Sequence, residues 1–465
     1  MARLFGTDGV RGLAGREITA ELAMRLAAAA ARVLEAEEGL GYGSKVAPPV
    51  LDHRAEDAPR RLKGIVGVDS RVSGDMLAAA CAAGLASAGV DAVLAGLIPT
   101  PGLAYLTRSQ GFDVGVMISA SHNPYQDNGI KFFSSTGYKL PDAVEDVIEV
   151  RLAEEWEPAI GDAVGSITTD LGAVDSYIDF LVGCAPVGLD GMRVVLDCAN
   201  GASSRVAPEV FRRLGAEVMP LAVHPSGTNI NAGMGSTHPE LLQRAVVGLE
   251  AHAGFAFDGD ADRCLAVDAG GELVDGDKIM GILALALKSR DELPGNTLVT
   301  TVMSNLGLFK AMASQGIELK VTAVGDRYVL EEMIAGGYAL GGEQSGHVIM
   351  TRHATTGDGT LTAVQLACQV RAAESSLGEL AQQIHAFPQV LVNVPEVDKG
   401  RVGTDSSVAA ALREAEAELG DSGRVLLRAS GTEPLVRVMV EAPTSAQAEA
   451  VAARLATVVA RQLGL

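Results

Sequence analysis

Blocks of apolar residues separated by polar loops predict strands that alternate with helices along this chain. The run Val114 to Ile118 predicts a buried strand, and it ends at a polar loop with two serines and a histidine. Apolar residues recur at helical spacing over residues 19–37, and residues 64–69 and 91–96 predict two more strands with an Ala-rich helix between them. This order is typical of a parallel α/β domain.

Local signals predict how the chain continues after the serine-containing loop. Pro124 prevents the loop from becoming a helix, and the pair Asn128-Gly129 predicts a turn with positive φ. Residues 144–156 predict a helix, and residues 160–169 predict a β-hairpin connection. Residues 39–63 have no periodicity and are interpreted as a surface insertion.

The succession of strand, polar loop and helix recurs, without a repeat at the level of single residues. Past Phe387-Pro388 the pattern changes to strands around a Ser-Gly-Thr turn, with a charged amphipathic helix and a final helix. We therefore predict three mixed α/β domains of similar architecture and a C-terminal α+β domain. The predicted ranges are 1–172, 173–272, 273–386 and 387–465.

Composition and charge restrict the class of partner. The 465 residues exceed what one hydrophobic core usually holds, and 48% hydrophobic with 20% charged residues is typical of a globular protein. The formal charge of −21 argues against non-specific binding to nucleic acid or to an anionic membrane. A site for an anionic substrate must therefore be built locally from Arg, Lys or helix N-termini.

The cysteines and the chain's start bear on its location. The five cysteines are scattered and show no metal-like spacing, so we expect reduced thiols in a cytoplasmic protein. The chain opens without an apolar signal segment, and the Ala-rich run from Ala27 to Ala31 is too short to span a bilayer. We expect no membrane partner, and a monomer or a homodimer.

Glycine-rich and arginine-containing loops are candidates for phosphate binding. The N-terminal stretch Phe5 to Gly12 carries three glycines, which allow close approach of the backbone to a ligand, and Thr7 and Arg11 could reach a phosphate. A plain glycine-rich hairpin is the alternative. Arg71 follows a predicted strand and is a further candidate phosphate contact.

Three aspartates alternate after the predicted strand over residues 253–257. In an extended stretch, residues two apart project the same way, so Asp258, Asp260 and Asp262 could converge. Crowded carboxylates repel one another unless a cation neutralises them, and an all-oxygen ligand set suggests Mg²⁺. A solvated acidic loop is the alternative. An EF-hand is excluded, because the twelfth position of a loop that begins at Asp258 must be Glu and is Ala269.

Two later loops carry further polar groups. Glu343, Ser345 and His347 offer a carboxylate, a hydroxyl and an imidazole, which suit the hydroxyls or amine of a sugar. The stretch Arg428 to Pro434, with Arg437, offers guanidinium, hydroxyl and backbone N–H groups to a phosphate. The alternative for the first loop is an ordinary polar turn, and the alternative for the second is a plain hairpin turn.

These loops together resemble the α-D-phosphohexomutase superfamily over essentially the full length of the chain. The resemblance rests on five motifs in order, namely FGTDGVRG at residue 5, ISASHNP at 118, DGDADR at 258, GEQSGH at 342 and RASGTEP at 428. The chain looks most like bacterial members that act on glucosamine phosphates, because of the N-terminal motif and of Gln344, where members acting on mannose and glucose phosphates typically have Met. The insertion over residues 39–63 is longer than expected there.

The resemblance implies a fold and a set of site residues. It implies α/β domains and a C-terminal domain of the TATA-box-binding-protein-like type around a central cleft. Ser121 matches the phosphoserine, with Ser119 as its rival in the same motif. Asp258, Asp260 and Asp262, with a phosphoserine oxygen of Ser121, match the ligands of one Mg²⁺ ion. The implied substrate-binding residues are Thr7, Arg71, Gly325, Asp326, Arg327, Glu343, Ser345, His347, Arg428, Ser430, Gly431, Thr432 and Arg437.

The implied reaction interconverts glucosamine 6-phosphate and glucosamine 1-phosphate through a 1,6-bisphosphate, which also serves as activator. Its product would feed synthesis of UDP-N-acetylglucosamine and cell-wall precursors. Arg11 would offset charge on the transferring group, and either His122 or Lys131 would be the general acid/base. Two alternatives remain: a mutase of the same superfamily acting on mannose or glucose phosphates, and a non-catalytic sugar-phosphate-binding protein.

Overall fold

The computed structural model describes residues 3–6, 8–38, 61–430 and 435–465, with the backbone alone for residues 35–38. Thr7, Gly431, Thr432 and residues 39–60 of the predicted insertion therefore lie outside the described residues. The chain divides into two compact units, and each is described by itself. The first comprises residues 1–302 and 318–382, and the second comprises residues 303–317 and 383–465.

The first sheet of the first unit is six-stranded, in the order β1-β5-β4-β2-β3-β6. Its strands are β1 (Val10–Leu13), β2 (Lys63–Val68), β3 (Asp91–Leu97), β4 (Val114–Ile118), β5 (Asp127–Ser134) and β6 (Ile167–Thr169). Its helices are α1 (Ala20–Glu38), α2 (Gly74–Ser87), α3 (Thr100–Ser109) and α4 (Asp142–Ala153), and α5 (Ala173–Gly183) follows. The apolar positions of α1 and α2 are buried in one core with those of β2 and β4.

Two predictions about this sheet are wrong. Asn128 and Gly129 lie inside β5, which pairs antiparallel with both β1 and β4, so the sheet is mixed and the pair forms no turn. Gly129 has no positive φ. A Cβ on this residue would lie 2.6 Å from the carbonyl oxygen of Ser119, so the glycine permits close approach. Residues 160–169 form no hairpin either, because β6 pairs parallel with β3.

The second sheet has the order β11-β10-β9-β7-β8. Its strands are β7 (Arg193–Asp197), β8 (Glu217–Leu221), β9 (Ala253–Phe257), β10 (Cys264–Asp268) and β11 (Leu273–Val274), with helices α6 (Ser203–Arg213) and α7 (Glu240–Gly248). β7 pairs parallel with β8 and β9, whereas β9 and β10 are antiparallel. The loop with the three aspartates is therefore the connection of a β9–β10 hairpin.

The third sheet has the order β13-β12-β14-β15. Its strands are β12 (Thr297–Thr301), β13 (Glu318–Thr322), β14 (Leu340–Gly342) and β15 (Val348–Met350). The helices in this part of the first unit are α8 (Gly276–Ser289), α10 (Asp326–Gly336), α11 (Gly359–Ala373) and α12 (Leu377–Ala381). β14 and β15 are joined by the predicted sugar-binding residues 343–347.

The second unit contains an antiparallel sheet in the order β16-β18-β17. Its strands are β16 (Gln389–Pro395), β17 (Arg424–Ala429) and β18 (Leu435–Glu441), and its helices are α9 (Leu306–Ser314), α13 (Ser406–Leu419) and α14 (Ser445–Leu463). Apolar residues of α13 and α14 pack with those of the sheet in one core. The four sheets confirm the predicted class of mixed α/β domains followed by an α+β domain.

Among the described helices, none combines the length and the apolar character that are needed to cross a bilayer.

Candidate active site

The serine loop, residues 119–124, follows β4 and turns back into β5. Ser121 lies in the left-handed region with φ of 52° and is 1% exposed. Its Oγ donates a hydrogen bond to Oδ2 of Asp258 at 2.5 Å, and it lies 3.3 Å from Nδ1 of His122. The hydroxyl thus faces the loop with the three aspartates.

The structure separates the two serines of the motif. Ser119 is fully buried, and its Oγ donates to Oδ2 of Asp69 at 2.7 Å while it accepts the N–H of Ser121 at 2.9 Å. This hydroxyl is therefore engaged in holding the loop. The geometry supports the predicted role of Ser121 over its rival.

The metal loop, residues 258–263, brings three carboxylates together. Asp258, Asp260 and Asp262 are at most 5% exposed, and each offers one oxygen within 4.8 Å of the other two. Convergence does not come from strand alternation as predicted. The loop is a turn in which Ala261 has φ of 57° and donates its N–H to the carbonyl of Asp258. Burial also excludes the alternative of a solvated acidic loop.

The donor set of the metal loop fits a hard divalent cation. Oδ1 of Asp260 and Oδ1 of Asp262 are buried and accept no hydrogen bond from the described residues. Burial, together with the charges of Asp262 and Asp260, raises the pKa of Asp258 well above its ordinary value. A divalent cation bound among the three oxygens would relieve this repulsion. The chain therefore has a divalent metal site at these aspartates.

Polar groups around the aspartates orient them. Asp260 Oδ2 accepts from Nζ of Lys131 at 2.9 Å and from Oγ1 of Thr100 at 2.6 Å. Nδ1 of His347 lies 3.5 Å from Oδ2 of Asp262, and its Nε2 accepts the N–H of Gly357 at 3.1 Å. Carboxylates that bind a metal are usually held in place by hydrogen bonds from residues behind them, and His347 occupies such a position behind Asp262. This position differs from the predicted sugar contact of His347.

The two candidates for general acid/base occupy different positions. His122 is partly exposed, and its Nδ1 faces the Ser121 hydroxyl. Burial, followed by the positive charges of Arg263 and Arg11, lowers the pKa of His122, so its imidazole is neutral at pH 7. Lys131 is 2% exposed and pairs with Asp260. Both residues therefore lie at the site.

Two arginines at the site have a buried Nε that makes no hydrogen bond within the described part of the chain. Nε of Arg11 and Nε of Arg263 are buried and make no hydrogen bond to the described residues. Arg11 pairs with Asp8 at 3.1 Å, and Arg263 lies 3.8 Å from Asp262. These nitrogens support the predicted anion contact of Arg11. They add Arg263, which the sequence interpretation mentioned only as the residue after the aspartates.

The side chain of Arg71 binds groups of the protein itself, whereas a phosphate contact was predicted. Its side chain is completely buried and pairs with Asp69 at 2.9 Å. The remaining guanidinium nitrogens donate to main-chain carbonyls of residues 121, 123, 124 and 127. No N–H remains for a phosphate, because a guanidinium has five. The structure thus contradicts a phosphate contact by Arg71.

A lysine that the sequence interpretation missed connects two of the predicted loops. Nζ of Lys139 donates to Asp8 at 2.8 Å and to Asp326 at 2.5 Å. Lys139 holds the pKa of Asp8 well below its usual range, and Asp326 and Asp8 raise the pKa of Lys139 although burial opposes this. No local pattern marks Lys139, because its partners lie 131 and 187 residues away.

The predicted sugar residues lie close together in the first unit. Oε1 of Glu343 accepts the N–H of Gly325 at 3.0 Å, and Oγ of Ser345 donates to Oε2 of Glu343 at 3.4 Å. Arg327 forms ion pairs with Glu145 and Asp142 on α4. Glu343 and Ser345 are partly exposed, as a ligand contact requires, whereas Arg327 is occupied by carboxylates of the chain itself.

The predicted phosphate residues of the C-terminal domain lie within the second unit. Arg428 on β17 and Arg437 on β18 are directly opposite each other in the antiparallel ladder. Ser430 is 3% exposed, and its carbonyl accepts a hydrogen bond from Nζ of Lys399 at 2.7 Å. Two arginines and a lysine around one turn form a local cationic site within an acidic protein. Lys399 was not predicted.

Comparison with known proteins identifies all four domains. Family models for phosphoglucomutase/phosphomannomutase match as α/β/α domain I over residues 2–47 and 50–158, domain II over 175–271, domain III over 275–387 and the C-terminal domain over 391–458.

Full-length relatives and solved structures agree with these matches. The chain is 56% identical to the phosphoglucosamine mutase of Streptomyces griseus and 55% identical to that of Thermobifida fusca, and each alignment covers 100% of both chains. A phosphoglucomutase/phosphomannomutase family protein from Burkholderia thailandensis superposes with a TM-score of 0.79 at 24% identity, covering 99% of this chain and 97% of that one. These matches show that the chain belongs to the phosphoglucomutase/phosphomannomutase family and groups within it with the phosphoglucosamine mutases.

Proposed function

We propose that this chain interconverts glucosamine 6-phosphate and glucosamine 1-phosphate through a phosphorylated Ser121. The observation that carries the proposal is the Ser121 hydroxyl, which lies 2.5 Å from the first of three buried, convergent carboxylates. A serine in this position can pass a phosphoryl group to a sugar held beside the metal loop. The choice of glucosamine is supported by full-length relatives at about 55% identity that are phosphoglucosamine mutases.

The reaction conserves the phosphoryl group. The sugar O1 attacks the phosphorus of phosphoserine 121, the bond from phosphorus to Oγ breaks, and a glucosamine 1,6-bisphosphate forms. The bisphosphate then rotates within the site so that its O6 phosphate faces Ser121. Oγ attacks this phosphate, and the bond from phosphorus to O6 breaks. The bisphosphate is therefore both intermediate and activator, and its loss would leave an unphosphorylated enzyme.

The protein's own groups have separate roles in these steps. His122 or Lys131 accepts the proton of the attacking hydroxyl and returns it to the leaving oxygen. Arg11 and Arg263 offset charge on the transferring group, while Glu343 and Ser345 bind sugar hydroxyls. A single Mg²⁺ ion, held by Asp258, Asp260 and Asp262, would supply further charge neutralisation. In the C-terminal domain, Arg428, Ser430 and Arg437 bind the phosphate that is not transferred.

The proposed setting follows from the same chemistry. The product would be used in UDP-N-acetylglucosamine and cell-wall precursor synthesis, and the location would be the cytoplasm. Five cysteines without a disulfide support a reducing compartment. A monomer or a homodimer remains the proposed state.

The decisive assay supplies glucosamine 6-phosphate, Mg²⁺ and a trace of hexose 1,6-bisphosphate. We expect turnover, and a kcat/KM for glucosamine 6-phosphate above that for mannose or glucose 6-phosphate. A higher value for either of the other sugars would replace the proposal with the second mutase activity. No turnover of any of the three, with no phosphate on Ser121 by mass spectrometry, would favour a sugar-phosphate-binding protein.

Variants of the two candidate bases decide which one transfers the proton. His122→Ala and Lys131→Ala each lower kcat, by about 10²- to 10⁴-fold for the residue that acts as general acid/base. Imidazole added to the first variant, or methylamine added to the second, restores turnover only where the missing side chain carried the proton.

A further inference from the structure

The backbone of the serine loop is held in a conformation that a serine adopts rarely. Ser121 has φ of 52°, in the left-handed region that costs a non-glycine residue free energy. Such a residue persists only where its surroundings fix it. The contacts that fix Ser121 therefore determine where its hydroxyl points.

Two side chains bind the same pair of main-chain carbonyls in this loop. Nη2 of Arg71 donates to the carbonyl oxygen of Ser121 at 2.8 Å and to that of Asn123 at 2.8 Å. Nδ2 of Asn231 donates to the same two oxygens at 2.9 Å and 3.1 Å. Each nitrogen carries two hydrogens, and each carbonyl has two lone pairs, so the four bonds satisfy Nη2 of Arg71, Nδ2 of Asn231 and both carbonyl oxygens.

The two donors come from different parts of the first unit. Arg71 follows β2 and is fixed by its ion pair with Asp69. Asn231 belongs to the clamp loop, residues 224–236, which follows β8 of the second sheet. Its own N–H donates to the carbonyl of Ala199, and its φ is 57°. Asn231 thus ties the serine loop to the part of the chain that carries the metal loop.

The metal loop packs closely against the carbonyl of Ser121. A Cβ on Gly259 of the metal loop would lie 2.6 Å from the Ser121 carbonyl oxygen and 2.8 Å from Nδ2 of Asn231. Arg71 and Asn231 are 3% and 9% exposed. The carbonyl of Ser121 is therefore enclosed by Arg71, Asn231 and Gly259.

We propose that Arg71 and Asn231 are positioning residues that keep Ser121 aimed at the metal loop in both the phosphorylated and the unphosphorylated enzyme. The proposal rests on the proposed function. The hydrogen bond from Ser121 Oγ to Asp258 needs the hydroxyl proton, so it is lost when Oγ carries a phosphoryl group. The four bonds to the carbonyls do not involve Oγ, and they remain through the whole cycle.

Asn231→Ala tests this role, with Asn229→Ala as the matched control. Asn229 lies in the same clamp loop, and its side chain bonds to Ser226 and His224 instead of the serine loop. We expect Asn231→Ala to lower kcat by about 100-fold, as for a misplacement of roughly 1 Å at a reacting group, with KM within about twofold of wild type. Asn229→Ala should keep kcat within about twofold.

Asn231→Asp keeps the size of the side chain and replaces the donor with an acceptor. Because the carboxylate then faces two carbonyls, we expect a loss of kcat at least as large as for Asn231→Ala. This variant also replaces Asn231→Ala in the comparison if the alanine variant does not fold at 25 °C.

Two further measurements distinguish positioning from a purely structural role. Hydrogen exchange of the backbone amides of residues 119–123 should accelerate in both Asn231 variants and remain unchanged in Asn229→Ala. Turnover is normalised to the phosphoserine content found by mass spectrometry. A variant that lowers Tm and phosphoserine content yet keeps wild-type kcat per phosphoserine would overturn the proposal, as would wild-type kcat in Asn231→Asp.

Failure of the proposed function gives a different result. An inactive wild type without phosphate on Ser121 contradicts the mutase activity itself. An active wild type with active Asn231 variants contradicts only the positioning role.

Discussion

The hydroxyl oxygen of Ser121 and Oδ2 of Asp258 lie 2.5 Å apart, although 137 residues separate them in the chain. One residue comes from the first sheet and the other from the hairpin of the second. The contact places a candidate nucleophile beside a candidate metal ligand in the unphosphorylated protein, and this proximity supports both proposed roles.

Ser121→Ala is expected to lower turnover by at least about 10³-fold while the protein still folds, because no other group can carry the phosphoryl group. The steady-state assay with glucosamine 6-phosphate measures the loss, and circular dichroism checks the fold. Ser119→Ala serves for comparison and should still incorporate phosphate at Ser121, detected by peptide mass spectrometry. Phosphate on Ser119 in the wild type would contradict the assignment.

Mg²⁺ is expected to raise the Tm of the unphosphorylated wild type, because a cation relieves the repulsion among the three buried aspartates. At a concentration 100-fold above Kd, the stabilisation is about 2.7 kcal/mol. Asp260→Asn should reduce the rise in Tm, whereas Asp75→Asn, an exposed aspartate in the first turn of α2, should leave it intact. An equal rise in Asp260→Asn and wild type would argue against the metal site.

His347→Gln is expected to weaken activation by Mg²⁺ about 10- to 100-fold, with little change in the KM for the sugar phosphate. The reason is that His347 is 3% exposed and its Nδ1 lies 3.5 Å from the proposed metal ligand Asp262, while its Nε2 lies 3.6 Å from Asp326. Ser345→Ala should show the reverse pattern, a raised KM with unchanged activation by Mg²⁺. Titrations of rate against Mg²⁺ and against sugar phosphate separate the two effects.

Gly259→Ala is expected to reduce both stability and turnover, because the added Cβ would meet the Ser121 carbonyl oxygen at 2.6 Å. Overpacking of this kind typically costs about 1–3 kcal/mol. Gly248→Ala is the control, since a Cβ there meets no atom of the described residues within 4 Å. Thermal unfolding and the steady-state assay measure the two losses, and a neutral Gly259→Ala would show that the loops can move apart.

Asp358→Asn is expected to change how stability depends on pH. Asp358 caps α11 and accepts the hydroxyl of Tyr177 at 2.6 Å, and burial raises its pKa from 3.8 to about 6. The folded state therefore binds the proton more tightly than the unfolded state, and this contribution is lost as the pH rises through 6. The shift corresponds to about 3 kcal/mol.

The Tm of Asp358→Asn relative to wild type should therefore increase between pH 5 and pH 7.5. Asp405→Asn is a matched control, because Asp405 also caps a helix but the backbone N–H of Val408 lowers its pKa. That lowered pKa stabilises the folded state at neutral pH. The Tm of Asp405→Asn relative to wild type should therefore not increase as the pH rises. The same pH trend in both variants would contradict the assignment to Asp358.

Periodicity predicted most elements well, because their apolar faces are buried within the element's own sheet or helix layer. β9 has the predicted bounds, residues 253–257. Asn128-Gly129 misled the prediction because sheet pairing outweighs local turn propensity. Asn128 is fully buried in β5, and its Nδ2 donates to Oγ of Ser73 at 2.8 Å.

In the candidate site too, residues in local motifs were predicted, whereas residues whose role depends on distant partners were not. Ser121 and the three aspartates stand in compact motifs that the sequence reveals. Arg71 lies in such a motif too, but its partners are main-chain carbonyls, which leave no trace in a sequence. Asn231 and Lys139 were missed for a related reason, since their partners come from distant loops that only the fold brings together.

The position of Lys139 between Asp8 and Asp326 limits how this family can be recombined. A chimera that takes residues 318–382 from a relative with a neutral residue at position 326 would leave the ammonium with one carboxylate in a largely buried setting. Compatible parents are therefore those that share both acidic partners of this lysine, whatever their overall similarity.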